Sequence, residues 1–188
     1  MARPSAGFYW EELWYPDAVT ILGIDPGTAT TGFVVIRYEE GRLIPVDVGV
    51  LLTTPDMLLP DRLKSIYDDI NTLLDRYLPD TVATEKLFFD KNVTNGIAVG
   101  AARGAILLAF AQRSLPWMEY TPMQVKSAVT GYGAADKQQV QAMVVRLLNL
   151  VEVPKPDDAA DALAVAICHA HSHKISGMGR TRGRANRR

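Results

Sequence analysis

Of 188 residues only one, Cys168, is a cysteine, so no internal disulfide can form. That absence excludes a disulfide-built secreted scaffold and makes a reducing, cytoplasmic compartment the expectation. Long apolar runs are missing too. The longest, near Gly104 to Ala111, falls far short of the ~20 residues that a membrane span needs. Glu11, Glu12 and Asp17 interrupt the N-terminal stretch, so it does not read as a signal peptide. No internal repeat is present, and a formal net charge of −1 denies the chain the overall basicity common among nucleic-acid-binding proteins. What remains is a soluble intracellular protein without membrane contact.

The distribution of charge says more than its sum. Six of the twenty basic residues fall between Lys174 and Arg188, where no acidic residue occurs, leaving fourteen basic against twenty-one acidic before them. A nucleic-acid partner would therefore need local basic patches on a carboxylate-rich body. Composition divides the chain into three: an aromatic-rich extension over residues 1–17 (Phe8, Tyr9, Trp10, Trp14, Tyr15), one globular domain over 18–173, and a basic tail over 174–188 expected to be disordered. With 48% apolar residues the domain can bury a substantial core.

Val19 to Ile24 reads as a buried strand ended by Asp25-Pro26-Gly27. Phe33 to Tyr38 and Ile44 to Leu52 are two more strands, with Glu39-Glu40-Gly41-Arg42 as a hairpin turn. The period then changes: Leu59, Leu63, Ile66, Tyr67, Ile70, Leu73, Leu74 and Tyr77 mark one face of a helix. Thr81 to Leu87 is predicted as a strand, about 92–113 as an Ala- and Gly-rich helix, and Trp117 to Tyr120 as a fifth strand. Thr121-Pro122 starts a helix with Thr as N-cap. Val140, Met143, Val144, Leu147 and Leu148 mark another, and Asp158 to about His171 the last. Three hairpin-joined strands followed by two alternating with helices imply an α/β fold, its five-stranded sheet covered by helices on both faces.

Asp25 and Glu85 fall near the ends of strands that read as central. An unpaired carboxylate there is costly, so either residue alone would be expected to meet an Arg or Lys. Asp158 and Asp161 change the balance. Their three-residue spacing puts both on one helix face, in a first turn where the dipole favours anions. An N-cap role for Asp157 or Asp158 explains one of these acids but not Asp161. Carboxylates converging on one point repel each other, and hard cations such as Mg²⁺ relieve that repulsion. Two such ions ~4 Å apart can stabilise the attacking water and the leaving oxygen of a phosphodiester displacement.

Here the residues resemble a known family. Ile21-Leu22-Gly23-Ile24-Asp25-Pro26-Gly27 with Thr31-Gly32, then Glu85-Lys86-Leu87-Phe88, then Asp158-Ala159-Ala160-Asp161-Ala162-Leu163-Ala164 look like the three motifs of RuvC Holliday junction resolvases, in order, over about residues 19–173. The resemblance implies an RNase H-like fold with a mixed sheet and a homodimer making paired symmetric nicks in four-way junction DNA. It further implies Mg²⁺, replaceable by Mn²⁺ and two ions per site, on Asp25, Glu85, Asp158 and Asp161, and a RuvA–RuvB branch-migration complex as partner. The chain departs from the family in carrying the aromatic extension before the first strand. A sugar-kinase or actin-like ATPase shares the Gly23 to Thr28 loop pattern but needs two such domains, more than 188 residues hold. Another RNase H-like nuclease acting on RNA or replication intermediates, and a non-catalytic junction-binding protein, are the other readings.

Lys137 opens a helix, a position where a cation opposes the dipole. Stability alone does not explain it, whereas an incoming phosphate would. By the resemblance Lys126 and Lys137 are basic residues near the scissile phosphate, and Phe88 is an aromatic stacking on a base. Arg103 resembles a family arginine, but pairing with a helix carboxylate accounts for it equally well. Gly96, Gly100 and Gly104 form a small-residue stripe suited to close packing, within the layers or across a dimer. His169, His171 and His173 lie near a helix C-terminus, which favours histidine without requiring a ligand.

Overall fold

The structure, a computed structural model, describes residues 18–86 and 93–184. The aromatic extension and Phe88 therefore lie outside the described residues. Strands β1 (Ala18–Asp25), β2 (Thr30–Glu39) and β3 (Arg42–Leu52) form an antiparallel meander. Its β2–β3 turn holds both Glu40 and Gly41 at positive φ, as a two-residue primed hairpin turn demands. Helix α1 (Leu59–Tyr77) crosses to β4 (Thr81–Glu85), which pairs parallel with β1, and α2 (Val93–Gln112) crosses to β5 (Trp117–Tyr120), parallel to β4. The sheet order is β3-β2-β1-β4-β5, a mixed five-stranded sheet as the sequence implied.

Alternation along each strand sorts side chains to two faces. Leu22, Ile24, Val35 and Val82 pack on one face against Ile66, Ile70 and Leu74 of α1 and Ala102, Ile106 and Phe110 of α2. Val19, Ile21, Val34, Ile36 and Ala83 face the other way, against α5 (Asp157–Arg184). Over α5 lie α3 (Pro122–Thr130) and α4 (Lys137–Leu148). Thr121 caps α3 with Pro122 in its first turn, as expected, and a capping box with Gln124 completes it. Asp136 and Gln139 make the same box at α4.

Helix α5 is the centre of the second layer. Its residues from Ala159 to Ala170 are buried almost without a break because the sheet covers one side and α3 and α4 the other. Alanine dominates that stretch, so backbones come close. A Cβ added to Gly23 of β1 would stand 2.7 Å from the Ala162 carbonyl and 2.8 Å from the Ala166 Cβ. Helix α5 runs to Arg184, into the segment that the sequence reading separated as a basic tail. The fourth strand, expected to reach Leu87, ends at Glu85. No helix among the described residues is long and apolar enough to cross a membrane.

Candidate active site

The parallel register of Ile24 with Thr84 sets Asp25 beside Glu85 at the carboxyl ends of two central strands. Both follow the alternation that faces α5. The start of α5 arrives at this same end through a second close approach. Gly32, the β2 partner of Asp25, has no room for a Cβ because the Asp158 carbonyl occupies that space. Asp158 and Asp161 are thereby laid over the ends of β1 and β4, and all four expected carboxylates share one neighbourhood. Two buried threonines, to which the sequence reading gave no role, brace the turn after Asp25. Thr31 donates its hydroxyl to the Gly27 carbonyl at 2.7 Å, and Thr53 donates to Thr28 while accepting from Arg62 Nε at 2.8 Å. Thr31 was readable as part of its motif; Thr53, at the end of β3, carried no signal.

Burial pushes the Asp25 carboxyl up to about 7, with Glu85, Asp161 and Asp158 adding to the rise and Lys137 opposing it. Glu85 is also raised, by burial and then by Asp161, against the pull of Lys126. Asp161 is raised by burial, with Lys137 acting the other way. A group of carboxylates that raise one another in this way holds more negative charge than its protein neighbours neutralise.

Lys137 is the first residue of α4, and its ammonium lies 2.9 Å from Asp157 Oδ2 and 3.4 Å from Asp161 Oδ2. The structural reason that the sequence did not offer for this lysine is thus an ion pair across to α5. Lys126, on α3, faces a cavity of about 270 Å³ together with Glu85, Lys137 and Asp161, over an apolar floor of Val125, Val140 and Ala164. Asp25 and Asp158 are not among the residues that line that cavity. As the side chains stand, no three His, Cys, Asp or Glu residues among the described ones form a ready metal site. Asp161 is turned toward Lys137, so the carboxylates meet through their fields without surrounding a common point. Their chemistry, acidic oxygens short of positive partners, is nevertheless that of a hard-cation site.

The remaining candidates separate. His169 is buried with Nε2 3.0 Å from Thr81 Oγ1 and Nδ1 2.8 Å from the Tyr120 hydroxyl, a core position with both ring nitrogens engaged. His171 Nδ1 lies 3.1 Å from the Ala128 carbonyl, and the His173 side chain is outside the described residues. Arg103 pairs with Glu119, a carboxylate on β5 and not on a helix, and its guanidinium lies 5.6 Å from the centre of the Trp117 ring. This cluster belongs to the α1–α2 face, away from the four carboxylates. Gly100 and Gly104 face open space, so their stripe does not pack within the layers.

A mixed sheet in this order, with acids at the ends of two adjacent parallel strands and more on a helix crossing them, defines an RNase H-like nuclease. The family model for crossover junction endodeoxyribonuclease RuvC matches residues 21–169. The chain is 58% identical to the RuvC of Desulforamulus reducens over 80% of its own length and 92% of that relative. With the RuvC of Syntrophomonas wolfei it is 52% identical over 83% and 91%. Thermus thermophilus RuvC in complex with a Holliday junction substrate superposes with a TM-score of 0.79 at 35% identity, over 84% of this chain and 96% of that one. The chain belongs to the RuvC family of crossover junction endodeoxyribonucleases.

Proposed function

We propose that this protein resolves Holliday junctions by paired symmetric nicks in DNA recombination and repair. The observation that carries the reading is the carboxylate group Asp25, Glu85 and Asp161, buried and raised together at one end of the sheet, in a chain 58% identical to a named junction endonuclease. Asp25, Glu85, Asp158 and Asp161 would hold Mg²⁺ or Mn²⁺, two ions in this reading. Such ions supply Lewis acidity at the phosphodiester and lower the pKa of the attacking water. Lys126 and Lys137, from two helices at the cavity, draw in and orient the phosphate. Water adds to phosphorus and the bond to the 3′ oxygen breaks, leaving 5′-phosphate and 3′-hydroxyl ends.

Symmetric cutting calls for two sites, and α2 supports a homodimer. Arg103 is its only charged residue, Ile97 and Leu108 are 66% and 53% exposed, and Gly100 and Gly104 leave the surface between them open. A helix with apolar residues on its exposed side as well as its buried one is what a partner covers. Family resemblance supports the RuvA–RuvB complex as a further partner, and the single buried Cys168, its thiol pushed up to about 11 by burial, suits a reducing cytoplasm.

The test is cleavage of a mobile four-way junction, a plain duplex and an RNA–DNA hybrid in Mg²⁺ or Mn²⁺, by the wild type and by Asp25→Asn. The junction alone is cut efficiently, and the variant binds it without cutting. Preference for the hybrid would favour a nuclease acting on RNA, and normal cutting by Asp25→Asn would remove the site assignment.

A further inference from the structure

Asp157 opens α5 but is not one of the four carboxylates. An acid in a first helical turn has an ordinary explanation in the dipole. That explanation does not cover its partners, since both come from α4 and each takes a separate oxygen. Lys137 Nζ lies 2.9 Å from Oδ2, and Gln141 Nε2, one turn further along α4, donates to Oδ1 at 3.3 Å. The same ammonium reaches Asp161 at the longer distance of 3.4 Å. On the proposed function a cation would compete with Lys137 for Asp161. Serving that cation would loosen the Asp161 hold on Lys137, whereas Asp157, outside the cavity lining, would keep its own.

Resting on the nuclease reading above, we infer that Asp157 is a positioning residue that tethers the Lys137 ammonium at the cavity mouth, facing the phosphate, when Asp161 turns away. A lysine stem left untethered spreads over many rotamers and is seldom in place when the phosphate arrives. Gln141 restrains Asp157 in turn, making the tether a two-point contact between α4 and α5.

A simple charge effect has the opposite sign, which makes the idea testable. Removing an acid beside a DNA site should tighten binding and speed capture. Removing a tether should leave binding intact and slow the chemistry. The experiment measures kcat and KM for junction cleavage at saturating Mg²⁺ with Asp157→Asn, Lys137→Ala and the double variant, with junction affinity in EDTA alongside. Asp157→Asn should lose about ten-fold in kcat with KM and affinity unchanged or improved, and nothing further should be lost when it is added to Lys137→Ala. A kcat at or above wild type, or an equal loss in both backgrounds, overturns the proposal; the second result would mark a purely structural role.

If the wild type fails to cut the junction, the functional reading falls, and NMR of the Lys137 ammonium then decides the tether by itself. Its ¹⁵N resonance should be observable in the wild type and in Asp161→Asn but exchange-broadened when Asp157→Asn is added to Asp161→Asn, where neither carboxylate holds the ammonium. A resonance unchanged between Asp161→Asn and that double variant overturns the tether.

Discussion

Glu85 and Glu119 sit on neighbouring strands, one residue out of register, and face opposite sides of the sheet. Glu119 has a guanidinium on it, stacked in turn over Trp117. Glu85 has no ion-pair partner among the described residues; Lys126 acts on it only through its field, while Asp161 raises it. The fold therefore places an arginine beside a half-buried carboxylate on one face and withholds one from its neighbour on the other. A carboxylate left short of positive charge in this way is kept for something that arrives later.

The largest expected effect comes from exchanging charge for amide on the two glutamates. Glu85→Gln should lose at least about a hundred-fold in junction cleavage without losing stability, since it removes a repelling charge. Glu119→Gln should do the reverse. Its pair with Arg103 is only about a quarter exposed (23% and 24%), so urea denaturation should show a loss of roughly 1–3 kcal/mol, with cleavage per folded molecule little changed. Equal catalytic losses in both variants would break the comparison.

A second effect comes from pH. The Asp25 carboxyl stands at about 7 in the folded protein against an ordinary 3.8, so between those values the folded state binds more protons than the unfolded one. Metal-free stability should therefore fall as pH rises from about 4 to 7 and stay low above it. Asp25→Asn should flatten that slope. Thermal melts at pH 5 and 8 read it directly, and Mg²⁺ at pH 8 should restore the wild type more than the variant. A wild-type slope no steeper than that of Asp25→Asn would show that burial does not strain this carboxyl. The smallest effect tests the paired face alone. Arg103→Lys keeps a cation but loses the planar stack on Trp117, and should cost about 0.5–1 kcal/mol by the same denaturation measurement.

Much of this was readable in the chain. The short apolar run of Val19 to Ile24 and the period of three to four in Leu59 to Tyr77 gave the layers, because β1 is buried on both faces of the sheet and α1 along one side. The carboxylates were readable because acids at strand ends violate the burial rule. The partners were not. Lys137 looked like an isolated cation against a dipole because Asp157 and Asp161 lie on another helix, and sequence spacing carries no distance between α4 and α5. For Arg103 a helix carboxylate was one of two open accounts, but its neighbours three and four residues away are apolar, and its partner Glu119 comes from β5. Where α5 would stop was not legible either, since local composition near residue 174 does not reveal that a buried helix feeds directly into that segment.

Close packing of α5 against Gly23 and Gly32 also bears on how the protein is made. Two of the four carboxylates and much of one core layer are supplied by a segment that begins at residue 157. Ribosomes release chains from the N-terminus onward, so Asp25 and Glu85 emerge long before Asp158 and Asp161. A nascent or prematurely terminated chain lacking α5 is without Asp158 and Asp161 and has no cover for that side of the sheet. On the proposed site, competence to cut would be acquired only once α5 has emerged, and products shortened before it would carry no complete nuclease site.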